Sequence, residues 1–551
     1  MSTNHNYNQY KFKVPYRLYD YQKEAILFSL EKGNAILNLM TGSGKTFIAI
    51  GTAFVYLKRQ TINKAIFVCT KKSKKSIKED LGKTDATYLE IKDLESFIKF
   101  LSQDEIRLGV ITYEIKDKII EIINPDTNNI RINQTLLELW EKQNIILLID
   151  EIHKLRNQTS LTTVVFKRLI ELSKHVCGYT ATSFMSKLTD IFYMVHLLNP
   201  YIFGSLEIFE NKFIIFRKIT TKQGYQIKLP AKFKNLKVLS EILRKYIMYF
   251  YFPLKDVQFK ENYIELTEQT KNEYTNGTLS LQEVIKENQE KEKKKTEIKE
   301  QIELEQMSSN HEKVSELLEE LDNEDLVESN VKFTNQMIQV QYLVDKDPNK
   351  VNELLRLIDE KKEKGIVLYV SYYATLDFLK EKFNELKIQY TEINGKVSDK
   401  KLDQNIKWFK DDPTNKVCII TDAGSASLNL QFTNELILYN MPIPVGKFIQ
   451  VLGRIVRLGS KYDQFNISLI LTNDTIDYYK YQYVMSYKET YSQIFSSNLQ
   501  MPNSLTTLPN FNAYFLKKLR NKNLWNNDKK LFKEVAEKDL FIDNTWKPKR
   551  K

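Results

Sequence analysis

The chain has 551 residues, 42% of them hydrophobic, enough for two or more domains with full cores, and its 82 basic and 70 acidic side chains leave a net charge of +12. No apolar run is long enough to cross a bilayer, and Met1 to Lys13 is polar without an apolar signal core, so a soluble intracellular protein of cytoplasm or nucleus is expected, neither secreted nor membrane-bound. Cys69, Cys177 and Cys418 are odd in number, far apart and each in or beside an apolar run, and the five histidines show no ligand spacing, so buried thiols are expected, not a disulfide framework or a metal cluster.

The first element, Pro15 to Ala25, opens an amphipathic helix at Gln22. A side-chain amide donates and accepts at once, which is what the edge of adenine requires. Asn34 to Leu37 then reads as a buried strand, and Phe47 to Val55 as a helix. Between them lies Asn38-Leu39-Met40-Thr41-Gly42-Ser43-Gly44-Lys45-Thr46. Strand, glycine-containing loop, Lys-Thr and helix make a phosphate-binding loop. The glycines let backbone N–H groups turn toward phosphate oxygens, and the helix start adds partial positive charge. Thr41, Gly42, Ser43, Gly44, Lys45 and Thr46 are the candidate contacts; Lys45 reaches the outer phosphates and the Thr46 hydroxyl holds Mg²⁺. One position departs from the pattern: Leu39 stands where a small residue is usual. The plainer alternative is a Gly-Ser turn that happens to precede Lys-Thr.

Lys64 to Thr70 is a second buried strand, followed by Lys71 and Lys72, and Leu108 to Glu114 is a third, with Thr112 near its end. Hydroxyls and lysines at the carboxyl ends of parallel strands are well placed for a nucleic-acid backbone, although a solvated basic helix start would look the same. In Asn144 to His153, apolar residues run directly into Asp150-Glu151. Such a run is a central parallel strand. Asp150 can hold Mg²⁺ and Glu151 can polarise an attacking water. Val176 to Ser183 is a further strand ending in hydroxyls, and the alternation from 30 to 185 indicates a parallel sheet covered on both faces.

Gln22, the Gly-Ser-Gly-Lys-Thr loop, Asp-Glu-Ile-His and Thr-Ala-Thr, in this order and spacing, resemble the superfamily-2 helicases. Asp150 to Asn157 and Leu197 to Ser205, followed by Phe209 and Phe213, look like the Swi/Snf-type ATPases. Leu243 to Leu254 and Tyr263 to Thr267 are similar to the link those ATPases place between two motor lobes.

The middle of the chain changes character. Residues 281–330 carry 16 acidic and 7 basic side chains, leaving +21 on the remainder. That excess suits a polyanionic partner, with solubility as the plainer reason. Leu279 to Leu326 lacks Pro and Gly and favours helix, so an acidic helical insertion is expected. A protein partner and a solvated spacer are both compatible with it.

Gly365 to Ser371 starts a second α/β unit, which continues through Tyr390 to Gly395 and Lys416 to Gly424. Ser371 and Thr421 are candidate nucleic-acid contacts. Gln450 to Gly459 places Arg454 and Arg457 three apart, on one face if the stretch is helical. Guanidinium groups there would grip phosphate and stabilise charge on the γ-phosphate across a cleft. The second unit also resembles the Swi/Snf-type second lobe, although Ala423 to Ser427 is poorer in glycine and Met441-Pro442-Ile443-Pro444 replaces the usual Trp-Asn-Pro. Residues 500–551 carry 12 basic and 5 acidic side chains and match nothing in the family. They are either a DNA-contacting appendage or an irregular basic terminus.

The expected fold is α/β, with two tandem RecA-like parallel-sheet lobes, an acidic helical insertion and a short basic tail. The divisions are 1–255, 256–345, 346–495 and 496–551. The resemblance implies ATP and Mg²⁺ held between lobes, with Glu151, Asp150, Lys45, Arg454 and Arg457 catalytic. It also implies movement on double-stranded DNA; the oligomeric state is open, with a monomer favoured. A strand-separating DNA or RNA helicase and an ATP-bound scaffold without turnover stay open as alternatives. By analogy, a compact single motor suits viral replication or recombination.

Overall fold

The computed structural model describes residues 12–13, 17–40, 42–124, 129–158, 160–181, 188–220, 226–250, 256–281, 325–422, 430–457, 460–495, 504–506, 511 and 514–515. The expected acidic insertion therefore falls largely outside the described residues.

The first lobe is built on a parallel sheet. Its strands are β1 (Asn34–Leu39), β2 (Lys64–Cys69), β3 (Tyr88–Glu90), β4 (Leu108–Thr112), β7 (Ile145–Asp150), β8 (His175–Thr180) and β11 (Ile247–Phe250), with a separate hairpin of β5 (Ile120–Asn124) and β6 (Asn129–Ile132). Their order across the sheet is β11-β1-β8-β7-β2-β4-β3. Pleating sends alternate residues to opposite faces. In β7, Ile146 and Leu148 enter the core beneath α1 (Asp20–Lys32) and α2 (Lys45–Lys58), while Leu147 and Ile149 enter the core of the other face. Both faces are covered, which is why this strand is apolar at every position before Asp150. Cys69, Cys177 and Cys418 are buried free thiols.

The second lobe is also a parallel sheet. It contains β12 (Asp256–Ile264), β13 (Ile366–Tyr369), β14 (Gln389–Ile393), β15 (Lys416–Ile420), β16 (Glu435–Leu438) and β17 (Gln464–Thr472), in the order β12-β17-β16-β13-β15-β14. The stretch expected to be a helical link from 256 onward thus begins as a strand. All nine residues of β12 pair with β17, from Asp256–Gln464 to Ile264–Thr472. Residues 268–281 then form helix, and α4 (Asp325–Asp345) and α5 (Pro348–Lys361) lead into β13.

The C-terminal extension has described pieces that touch both lobes. Its strand β18 (Ser504–Thr506) pairs with β10 (Gln226–Lys234), which pairs in turn with β9 (Ile214–Thr220) in a small antiparallel sheet. Phe511 and Phe515 pack their rings on Tyr483 and Tyr479 of the long helix Ile476–Phe495. Among the described residues, no helix is long and apolar enough to cross a membrane.

The second lobe encloses a buried ionic cluster that the sequence pattern does not announce. Lys350 of α5 donates to Asp345 of α4 at 2.9 Å and to Asp477 of the helix Ile476–Phe495, and all three side chains are at most 1% exposed. Gln341 donates to both carboxylates, Thr375 and Asn440 donate to Asp345, and the Tyr439 hydroxyl donates to the Asp345 carbonyl. Full satisfaction is what makes such a cluster tolerable in a low-dielectric interior. Lys350→Ala would leave two buried carboxylates without their cation. The expected loss in urea unfolding of the second lobe is about 3–5 kcal/mol. A loss below about 1 kcal/mol would show that the neighbouring hydrogen-bond donors suffice without the cation.

Candidate functional site: a phosphate loop facing two arginines

The loop after β1 turns on two left-handed glycines, Gly42 at φ 81° and Gly44 at φ 76°. Only a residue without a Cβ takes that backbone freely. Gly44 caps the start of α2, so Lys45 and Thr46 occupy its first turn, where the helix presents unpaired N–H groups. Lys45 Nζ donates to the carbonyls of Leu39 and Met40, each at 3.1 Å, which folds its ammonium over the loop. Burial lowers the Lys45 pKa, while Glu151 and Asp150 oppose the shift. Thr41 lies outside the described residues.

Gln22 and Tyr21 hold the loop from beneath. The Gln22 side-chain amide donates to the Ser43 carbonyl at 3.1 Å and accepts from the Tyr19 N–H at 3.0 Å. The Tyr21 hydroxyl donates to the same Ser43 carbonyl at 2.6 Å. Sequence reasoning assigned Gln22 to a base edge; here both ends of its amide engage the protein. The Ser43 hydroxyl is buried and has no hydrogen-bond partner among the described residues. A cradle of two left-handed glycines, an under-solvated lysine and an orphaned hydroxyl fit a polyphosphate.

Asp150 ends β7, one strand removed from β1 across β8. Burial, then the neighbouring Glu151, push its carboxyl well above the ordinary range. For Glu151 burial acts in the same direction, but a hydrogen bond and charge from His153, followed by Lys45 and Arg454, outweigh it and hold the carboxyl low. His153 Nδ1 lies 3.2 Å from Glu151 Oε2 and 3.0 Å from Thr180 Oγ1. Glu151 itself has left-handed backbone, at φ 55°. The two neighbouring carboxyls are thus pushed in opposite directions, Asp150 up and Glu151 down.

The second lobe supplies the opposing charge. Arg454 lies in the helix α6 (Val445–Ile455) and is 4% exposed. Burial lowers its pKa to about 10 against the pull of Glu151 and Asp150, the two carboxylates it faces across the cleft. Arg457 is lowered to about 9 by burial and by Arg454. A Cβ at Gly42 would lie 2.7 Å from Arg457 Cγ, so this side chain rests on the phosphate loop itself. The two arginines do not share a helix face as expected. The Arg454 carbonyl accepts from the Leu430 N–H at 3.0 Å, and the chain leaves the helix at Val456. Arg457 Nε then donates back to the Gly453 carbonyl at 3.0 Å. The early stop lays the aliphatic stem of Arg457 against Gly42.

The remaining sequence candidates sit at the carboxyl edges of both sheets. Thr70 caps the helix α3 (Lys71–Gly82) by accepting from the Ser73 N–H at 3.0 Å, and Lys71 is exposed in its first turn beside Lys72. Thr112 ends β4, paired with Cys69 at the end of β2. Ser371 follows β13 and donates its N–H to Asn440 at 3.0 Å. Thr421 follows β15 but is 3% exposed, so it presents little surface. Among the described residues, no group of three or more His, Cys, Asp and Glu residues is placed to hold a metal ion by itself.

Two family models match in succession. One described as type III restriction enzyme, res subunit, matches residues 15–185, and one described as helicase conserved C-terminal domain matches residues 349–459. They fall on the two sheets that supply the loop and the arginines. Together the two models cover just over half of the chain, which belongs to the superfamily-2 helicases and ATPases. Among curated relatives of this superfamily, the CHD3-type chromatin-remodeling factor CHR7 of Arabidopsis thaliana is 24% identical over 57% of this chain and 24% of its own length. The uncharacterized ATP-dependent helicase YqhH of Bacillus subtilis is 24% identical over 60% of this chain and 56% of its own length. The chain thus spans about a quarter of the one and just over half of the other. A solved Sulfolobus solfataricus SWI2/SNF2 ATPase core in complex with dsDNA aligns with 88% of this chain and 94% of its own, at 16% identity and a TM-score of 0.35.

In this superfamily-2 chain the loop geometry is directly testable. Gly44→Ala forces a left-handed alanine, at roughly 1–2 kcal/mol. Its Cβ would also stand 2.5 Å from Gln22 Nε2, breaking the Gln22–Ser43 hydrogen bond. Urea unfolding of the first lobe is expected to show a loss of about 2–3 kcal/mol. A loss under about 0.5 kcal/mol would mean that the loop relaxes around the methyl group.

Proposed function

We propose that this chain is an ATP-driven nucleic-acid motor that hydrolyses ATP between its two lobes and translocates on double-stranded DNA. The observation that carries the reading is the seating of Arg454 opposite Asp150 and Glu151, with Arg457 upon Gly42. A scaffold that merely holds a nucleotide has no need of a water-polarising carboxylate and two arginines from a second domain.

In this reading the loop N–H groups and Lys45 bind the β- and γ-phosphates. Thr46 and Asp150 would hold Mg²⁺, which would supply positive charge to offset that of the phosphates. Glu151 accepts a proton as water attacks the γ-phosphorus, and the bond to the β-phosphate oxygen breaks. Arg454 and Arg457 stabilise the charge that develops on the transferred group. Because each lobe brings half of the site, ATP favours the closed pair and hydrolysis releases it.

Nucleic acid would cross the carboxyl edges of both sheets, at Thr70, Lys71, Lys72 and Thr112 of one lobe and the Ser371 loop of the other, with Thr421 at the base of its neighbour. The excess positive charge outside the acidic middle favours a phosphate backbone. The choice of duplex DNA draws on relatives named as chromatin-remodeling factors and as chromodomain-helicase-DNA-binding proteins. The divisions proposed with this reading are 1–255, 256–345, 346–495 and 496–551, where β12 at the start of the second pairs with the second sheet.

The test is steady-state ATP hydrolysis without nucleic acid and with single-stranded DNA, duplex DNA or duplex RNA at one salt concentration. Strong stimulation by duplex DNA is expected, with triplex displacement but little fork unwinding. Lys45→Ala and Glu151→Gln should each reduce kcat by at least about 100-fold. Stimulation by single strands alone would favour a strand-separating helicase. Turnover unchanged in both variants would overturn the reading.

A further inference from the structure

Tyr113 opens a short helical turn just beyond Thr112, at the carboxyl end of β4. Its side chain is 6% exposed and reaches across β2 to the end of β7. There the hydroxyl donates to the Asp150 carbonyl at 2.7 Å and lies 3.3 Å from the Glu151 carbonyl. The ring packs against Phe166, with centroids 5.3 Å apart, and the Lys154 ammonium lies 5.6 Å from its centroid. The hydrogen bond to Asp150 sets where that hydroxyl sits, and the ring contacts support it.

The backbone it grips is the unusual one. Glu151 is one of few residues other than glycine with positive φ, a conformation that persists only where the surroundings over-determine it. Two hydrogen bonds do so here. The Lys154 N–H donates to the Glu151 carbonyl at 2.9 Å, and the Tyr113 hydroxyl holds the preceding peptide. Where the Glu151 carboxylate points follows from that backbone. On the other side, Tyr113 is bonded directly to Thr112, whose loop is the nucleic-acid edge in the function proposed above.

We propose that Tyr113 is a positioning residue that couples nucleic acid at the Thr112 loop to the aim of Glu151. The inference rests on the proposed function. A phosphate backbone bearing on Thr112 shifts or stiffens the turn at Tyr113, and the hydroxyl carries this to the Asp150–Glu151 peptide. Stimulation of turnover by nucleic acid then requires that one oxygen.

The experiment compares full-length wild type with Tyr113→Phe, which keeps the ring and removes the hydroxyl. ATP hydrolysis is measured with and without duplex DNA, and DNA affinity by anisotropy. The expected result is a DNA-stimulated kcat lowered by about tenfold, with the KM for ATP and the DNA affinity within about twofold of wild type. Phe166→Leu loosens the same ring but keeps the hydroxyl, and should retain the stimulation ratio. An equal ratio in Tyr113→Phe and wild type, or an equal fall in Phe166→Leu, overturns the inference alone. Wild type without any stimulation overturns the proposed function and the inference together. If Tyr113→Phe does not fold, hydrogen exchange at amides 151–154 of wild type decides: slowing by duplex DNA supports the coupling, and unchanged exchange overturns it.

Discussion

A guanidinium taken out of water is tolerable only opposite negative charge, and Arg454 finds that charge on the other lobe. Buried, with Asp150 and Glu151 as the charges that act on it, Arg454 couples the two sheets electrostatically. The cost of desolvating these groups is large, and their mutual attraction offsets it only while the lobes face each other. An exposed link such as Lys75–Asp403, at 2.7 Å across the same boundary, adds little beside it. A polyphosphate in the cleft would add negative charge where Lys45, Arg454 and Arg457 are all under-solvated. The same burial that makes the closed pair costly without a ligand makes it favourable with one.

Each lobe is stiffened around its half of this contact. In the first, Gln22 and Tyr21 fasten the Ser43 peptide, while Tyr113 and His153 fasten the peptide and carboxylate at Glu151. In the second, the Lys350–Asp345–Asp477 cluster ties three helices to the end of β16 through Tyr439 and Asn440. Asn440 also accepts the Ser371 N–H, so a nucleic-acid candidate loop is anchored in the same cluster. The tail joins in through β18 on β10 and the aromatic rings around Tyr483.

Much of this was legible in the sequence because the chemistry uses residue types at fixed local spacings. Gly42, Gly44 and Lys45 declare a phosphate loop, and an apolar run ending in Asp150-Glu151 declares the strand beside it. What was not legible depends on distant pairings. Lys350, Asp345 and Asp477 look like solvated charges until the fold buries them together. The hydroxyl of Tyr113 is bonded to a peptide some forty residues away, at a separation of 37. The helix carrying Arg454 was expected to continue through Arg457, because nothing local forecasts that the Leu430 N–H claims the Arg454 carbonyl. Residues 256–264, expected to be part of a helical link, are a strand because β17 offers a free edge.

Closure of the cleft by ATP through Arg454 is measured most directly as a distance between lobes. Cys69, Cys177 and Cys418 are buried, so cysteines introduced as Tyr201→Cys and Leu386→Cys at exposed positions would take donor and acceptor dyes selectively. Single-molecule energy transfer is expected to show a closed population that grows when a non-hydrolysable ATP analogue binds. Arg454→Ala should leave analogue binding to the first lobe in place but abolish that growth. A closed population that responds equally with and without Arg454 would contradict a site completed across the cleft.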